Sequence, residues 1–323
     1  CLIILLVGIG FLYRRNVNKY KEQEQTNNYD IIKQYLITKK TNNINENNDS
    51  EDDNRPIIWI HVKYDYNSRN WESFQSRSNF NINMPYQNLT IRSIIDKNPE
   101  FNICLIDDSS FKKLIPGWDI NIEDLASPLK ENIRRLATTK LLYKYGGMVI
   151  PDSTIVLNDL VDVYEKGNKM NGFFVANVRL NCDIQQRKSC YPNKNCMGCV
   201  KNNKEIKEFI RFLELMNSKD YTDESNFNNE IEKYLSNKIN FKKITSICSS
   251  YFGTKDINKK TITIDDLMSD KLIKYPPCIS CVIIPKEDLL KRRQYGWFLN
   301  LSIQEILDSN TALGKLLSMC QNH

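Results

Sequence analysis

The residues with chemistry to offer in this sequence are acids at the ends of apolar runs and cysteines in pairs. Asp152 stands alone in YKYGGMVIPDST, between Pro151 and Ser153, while Asp107 and Asp108 close the run FNICLIDD. If those runs are strands of a parallel sheet, their carboxyl ends are where such sheets take ligands. Cys196 with Cys199 and Cys278 with Cys281 form two C-x-x-C pairs, which brought together would have the ligand count of a structural zinc site. Disulfides in an oxidising compartment and buried free thiols are the other readings of the same cysteines. Only two histidines occur, His61 among them, which argues against histidine-based metal sites and catalytic dyads.

The elements that must position those acids are legible in the surrounding pattern. The folded part is expected to start at Pro56, with IIWIHV (57–62) as its first strand and a helix over YQNLTIRSIIDKN, where Leu89, Ile91, Ile94 and Ile95 fall near helical spacing. FNICLIDD reads as a second buried strand, followed by the helix SSFKKLI with Ser109 or Ser110 as its cap, or with the two acids themselves capping it. In SPLKENIRRLATTKLLYKYGG, Ser127 can cap a helix opened by Pro128, and Gly146 and Gly147 stop it. MVIPDSTIVL then reads as a strand that delivers Asp152 to the sheet edge. Strand, helix, strand, helix is the order of an α/β domain with a mostly parallel sheet flanked by helices.

Composition bounds the rest. Of 323 residues, 41% are hydrophobic, enough for a substantial core, and 45 basic against 39 acidic residues give a net charge of only +6. No basic stripe or aromatic-and-arginine motif accompanies that excess, so nucleic acid is not an expected partner. Residues 1–15, beginning CLIILLVGIGFLY and ending in Arg14 and Arg15, are expected to be a membrane anchor, truncated if the natural start lies upstream. Positive charge after that segment argues for a cytosolic globule, but the side of the membrane stays open. Residues 16–54 read as a disordered polar tether interrupted by a short helix near YDIIKQYLI, and 55–323 as the folded domain.

The stretch LLYKYGGMVIPDSTIVLNDL resembles the segment shared by DXD-type sugar transferases of the GT-A fold: the family of initiation mannosyltransferases and clostridial glucosylating toxins, and the capsular-polysaccharide synthesis family. IIWIHV and NPEFNICLIDDSSF are similar to the same families' opening strand and acid-ended strand, so the resemblance spans about residues 56 to 180. It implies a GT-A-like (Rossmann-like) sheet and transfer of a hexose from a nucleotide sugar to a glycan, lipid or protein acceptor. In such families the DXD carboxylates hold Mn²⁺ or Mg²⁺, which neutralises the charge that develops on the leaving diphosphate.

The chain departs from that pattern at the motif itself. Counting from Gly146 and Gly147, the two motif acids fall at Pro151 and Ser153 with Asp152 between them, and the helix's usual Asp and Arg fall at Arg135 and Thr138. Three readings follow. Asp152 binds the metal with Asp107 or Asp108 as a second carboxylate, and Asp152 and Ser153 form the catalytic turn; or Arg134 or Arg135 balances the diphosphate instead; or the fold is kept for binding or assembly without catalysis. The resemblance also places Trp59 and His61 where the donor's base packs, although a core tryptophan and an edge histidine fit the same residues.

Further along, NGFFVANV reads as another strand, and NNKEIKEFIRFLELM and FNNEIEKYLSNKI as packing helices. YFGTKDINKKTITIDDLM suggests an edge strand. In the late segment LLKRRQYGWFLNLSIQEIL, the resemblance to GT-A enzymes offers Arg292, Arg293 and Trp297 as groups that could close over a donor, ahead of a helix capped by Ser302; a surface charge cluster beside a core tryptophan is the favoured alternative. Arg69 and Arg77, in NSRNWESFQSR, are candidates for phosphate or acceptor binding or for a solvated helix face.

Overall fold

The computed structural model of the chain describes residues 32–37, 55–63, 84–177, 192–219 and 224–321. The expected anchor, most of the tether and the Asn67–Arg77 run lie outside the described residues. Among the described residues no helix is long and apolar enough to cross a membrane.

Eight strands are described: β1 (Ile57–His61), β2 (Asn102–Ile106), β3 (Gly147–Pro151), β4 (Thr154–Val156), β5 (Phe173–Asn177), β6 (Pro192–Cys199), β7 (Thr245–Ile247) and β8 (Cys281–Ile283). Six form one sheet in the order β2-β1-β3-β6-β5-β7, and β4 pairs with β8 in a small antiparallel sheet. β1 is parallel to β2 and β3, β5 is parallel to β7, and β6 runs against both of its neighbours. The expected α/β class with a mostly parallel sheet is therefore observed.

Each face of the sheet is closed by helices because the strands are apolar on both sides, as buried parallel strands must be. Ile57 and Trp59 of β1 and Val149 of β3 face one core, which also takes Phe111 from helix α2 (Ser110–Leu114), Leu136 from α3 (Leu129–Tyr145), Phe209 from α5 (Lys204–Asn217) and Phe227 from α6 (Glu224–Asn240). Ile58 and Ile60 of β1 and Met148 and Ile150 of β3 face the other, with Ile91 and Ile94 of α1 (Pro85–Lys97) and Val163 of α4 (Val161–Asn168). Ile58, Trp59 and Ile60 are wholly buried, and each side chain of this size contributes about 1.5–3 kcal/mol by leaving water. A third core joins Tyr86 and Leu89 of α1 to the C-terminal helices.

Several expectations need correction. Ser127 does not cap α3; Pro128 holds the N-cap position without a side-chain bond, after a cis Ser127–Pro128 peptide. The strand expected over MVIPDSTIVL is broken: β3 ends at Pro151, residues 152–153 turn, and β4 leaves the main sheet to pair with β8. YFGTKDINKKTITIDDLM yields a bridge between Lys255 and Thr261 and helix α7 (Ile264–Met268) rather than an edge strand. The tether is not free of the domain throughout, since Leu36 bridges to Cys104 beside β2 and Ile32 is buried in the core. The apolar residues of YDIIKQYLI supply the reason.

Candidate functional site

The site is set by how α3 stops. Gly146 adopts φ 74° and donates its N–H to the Leu142 carbonyl at 2.8 Å, closing the helix. Gly147 follows at φ 91°, where a Cβ would lie 2.2 Å from the Ile57 carbonyl oxygen. Only glycine lets β3 begin this close to β1. Ile60 then pairs with Ile150 and His61 with Pro151, so His61, Asp108 and Asp152 all come to the carboxyl ends of adjacent strands.

On the face that carries Trp59, charged side chains form a continuous chain. His61 Nε2 lies 2.9 Å from Asp108 Oδ1, and the imidazole stacks on Phe111 with ring centroids 5.3 Å apart. Arg134 grips Asp108 in a fork, Nε to Oδ1 at 2.9 Å and a terminal nitrogen to Oδ2 at 2.6 Å, and reaches Glu131 Oε1 at 2.5 Å. Lys63 completes the series, 2.5 Å from Glu131 Oε2. Burial works to raise the Asp108 carboxyl, but hydrogen bonds and charge from His61 and Arg134 outweigh it and hold the group well below the usual carboxylate range. Glu131 is also held low, with the ammonium of Lys63 and the guanidinium of Arg134 overcoming its burial. Burial works to lower Arg134, yet its bonds to Asp108 and the nearby acids raise it overall, so it stays charged.

Asp152 belongs to a different cluster. Side chains alternate along a strand, and position 152 shares the parity of Met148 and Ile150, whereas 151 and 153 share that of Val149. The Asp152 carboxylate accordingly turns toward α1 and the start of helix α8 (Lys286–Lys291), where Gln87 Nε2 donates to Oδ2 at 2.7 Å and Lys286 Nζ at 3.2 Å. Its backbone carbonyl accepts from Thr90 Oγ1 at 2.5 Å. It is 7% exposed. Ser153 is equally enclosed: its hydroxyl donates to the Ile284 carbonyl at 3.1 Å, extending the β4–β8 pairing.

Other expected site residues are dispersed. Asp107 caps α2, accepting from the Ser110 N–H at 2.9 Å and from the hydroxyls of Ser109 and Ser110, so the cap is the acid and not a serine. Trp59 is wholly buried and donates from Nε1 to the Gly146 carbonyl at 3.0 Å, so it braces the helix stop and offers no face to a base. Arg135 points along the other flank of α3 to Asn228 at 3.2 Å. Arg292 is held by Asp265 at 2.9 Å, and Trp297 is half-exposed against Phe298. The structure brings Asp108, His61 and Arg134 together and leaves Trp59, Asp107, Arg135 and Trp297 outside.

Neither cluster fits a divalent cation. Hard cations need several oxygen ligands, but the donors meeting Asp152 are an amide and an ammonium, and those meeting Asp108 are a guanidinium and an imidazole. Among the described residues no three acids, histidines or cysteines gather as a metal site. The oxygen ligands expected of a metal on Asp152 with Asp107 or Asp108 are thus not gathered at either cluster. The cysteines considered for zinc are spread: Cys196 and Cys199 sit three apart on a strand, so one thiol enters each core. Cys281 is buried, Cys278 is exposed, and all four are free thiols. Burial pushes the Cys196 thiol up to about 12.

Four participants were not singled out from sequence: Lys63, Gln87, Glu131 and Lys286. Glu131 and Arg134 stand at i and i+3 on a helix, a local signal for an ion pair. The others meet their partners only through the fold.

No family model and no curated protein sequence matches the chain. Among solved structures it is similar to the apo form of the glycosyltransferase GlyE of Streptococcus pneumoniae, at 13% identity and a TM-score of 0.37 over 61% of this chain and 46% of that one. A second GlyE structure gives 15% identity and a TM-score of 0.35 over the same shares. The PaToxG glycosyltransferase gives 15% identity and a TM-score of 0.33 over 71% of this chain and 80% of that one. The chain thus spans about half the length of GlyE. The proteins it is similar to are glycosyltransferases, but TM-scores this low leave the functional reading to the motif and the site.

Proposed function

We propose that the chain is a glycosyltransferase-like protein that binds a nucleotide sugar at the carboxyl ends of β1, β2 and β3 and transfers its hexose to a glycan, lipid or protein acceptor. The observation that carries this reading is the convergence of the motif helix, through Glu131 and Arg134, with His61 and Asp108 at that edge. Breaking the bond from sugar to diphosphate loads negative charge onto the leaving group, and fixed cations can balance it. Lys63, with 34% of its side chain exposed, is the most accessible cation of the His61 cluster; Arg134 is committed to Asp108 and Glu131. Lys286 is a further cation at the turn. The chain's own residues therefore support a donor site balanced by side-chain charge rather than by a bound metal ion.

A second reading, binding or assembly without catalysis, is favoured by one observation. Asp152 and Ser153, the only polar groups at the motif turn, spend their side chains on Gln87, Lys286 and the Ile284 carbonyl. Titration of the full chain with a panel of nucleotide sugars, with and without Mn²⁺, separates the two. Thermal stabilisation by one donor, accompanied by release of its nucleoside diphosphate and indifferent to Mn²⁺, is the expected result. Indifference to every donor supports the binding protein, and stabilisation that requires Mn²⁺ overturns the metal-free site.

A further inference from the structure

The end of the sheet opposite Asp108 and Asp152 carries its own surface. Three loops meet there: residues 169–172 before β5, 200–203 after β6, and 241–244 before β7. Hydrogen bonds lock them together. Asn171 Nδ2 donates to the Lys242 carbonyl at 2.6 Å, Asn203 Nδ2 to the Asn171 carbonyl at 2.7 Å, and the Val200 N–H to the Gly172 carbonyl at 2.8 Å. Just past α6, Lys242 takes φ 55° with its N–H bonded to the Ile239 carbonyl at 2.9 Å, and Phe241 in this turn is exposed.

The tips of these locked loops are apolar and their surround is basic. Phe241 is 75% exposed and Met170 69%, with Val200 at 42%. Lys169, Lys201, Lys204, Lys242 and Lys243 are all exposed around them, and residues 169–172, 200–204 and 240–243 contain no acid. The nearby acids Glu205 and Glu208 are drawn to Lys238, at 2.8 and 2.5 Å. The Glu208 carboxyl is held low by its bond to Lys238, with the charges of Lys204 and Lys243 adding to the effect. Glu165 lies one turn back along α4.

From this geometry we infer that the three loops form a docking surface for an anionic lipid bilayer, with Phe241 and Met170 entering the headgroup layer and the lysines meeting lipid phosphates. Exposed apolar tips inside a basic ring are the chemistry an interfacial membrane contact requires. A soluble polyanion would need the lysines but would leave Phe241 and Met170 in water, a cost that the bilayer removes. Docked in this way, the domain holds the Asp108 edge of the sheet away from the membrane.

Hydrogen exchange on the full chain tests it locally, so that any binding by residues 1–15 does not interfere. Phosphatidylserine-containing vesicles are expected to slow exchange in 169–172, 200–204 and 240–243, while neutral phosphatidylcholine vesicles do not; raising the salt concentration weakens the effect. The pair Phe241→Ser with Met170→Ser, and separately Lys169→Glu with Lys243→Glu, are expected to lose that protection while keeping the wild-type melting temperature. Three outcomes overturn the inference: unchanged exchange on anionic vesicles; equal protection by inositol hexakisphosphate or heparin, which assigns the surface to a soluble polyanion; or protection that grows with protein concentration alone, which assigns it to a second copy of the chain.

Discussion

Lys286 and Asp152 meet 3.2 Å apart across 134 positions of sequence, each largely enclosed, with 16% and 9% of their side chains exposed. The pair ties the motif turn to the beginning of α8. Removing one member leaves the other charge buried without its counter-ion, which costs more than the intact pair contributes.

Lys286→Met is therefore expected to destabilise the protein by about 2–4 kcal/mol, and Asp152→Asn by less, because the amide can still meet Gln87. The double variant should recover part of the loss, giving a coupling energy of about 1–3 kcal/mol in a urea-unfolding cycle. Strict additivity would mean that the two side chains do not interact in solution.

Asp108 predicts an acid-sensitive stability. Its folded pKa lies below the unfolded value of about 3.9, with the bonds and charges of His61 and Arg134 overcoming its burial. The stability this contributes is complete above about pH 4 and is lost as pH falls through the folded value. Unfolding curves from pH 6 downward should show wild type losing stability below about pH 4 more steeply than Asp108→Asn. Asp107 and Glu131 are also held low, so the difference between the two proteins is the informative quantity.

Arg134 separates charge from geometry. Arg134→Ala removes the fork on Asp108 and one of the two cations on Glu131, and is expected to cost up to about 3–5 kcal/mol. Arg134→Lys restores a charge but not the fork on Asp108, so its stability should fall between alanine and wild type. A lysine as good as arginine in thermal unfolding would show that the fork contributes nothing.

Gly147→Ala tests the strand start. The added Cβ meets the Ile57 carbonyl at 2.2 Å from a φ of 91°, and a loss of at least about 3 kcal/mol is expected, combining overpacking with backbone strain. Equilibrium unfolding measures it directly.

Cysteine mapping tests whether the C-x-x-C pairs share a zinc centre. A thiol reagent should modify Cys248 and Cys278 in the native protein, and reach Cys104, Cys196, Cys199 and Cys281 only after unfolding, in keeping with their exposure. Simultaneous protection of Cys278 and Cys281 that a chelator relieves would contradict the strand geometry.

The sequence made the strands and helices around β1, α1, β2, α3 and β3 legible because each depends on neighbours within one element: apolar periodicity, then a glycine stop. Asp108 was visible as a candidate on the same grounds, whereas His61 and Arg134 were named through the family resemblance. What stayed hidden came from parity and from distance along the chain. The proline at 151 biases Ile150 toward extended geometry, and nothing local says that the next two residues turn and that β4 then joins β8. The cysteines of NCMGC suggest a metal knuckle until they are known to lie on a central strand, where a spacing of three divides them between faces. Lys286 and Gln87 reach Asp152 only through tertiary packing, which no local pattern encodes.

The Ser153 hydroxyl meets the Ile284 carbonyl across 131 positions, and this has a consequence for synthesis. As the chain leaves the ribosome, β1, β2 and β3 can assemble early from nearby sequence, while β4 waits for a partner that emerges much later. Until residues around Ile284 arrive, a strand edge beyond Pro151 stays open to mispairing. Translation that halts before that point would leave the nascent domain with a built floor and an unfastened rim.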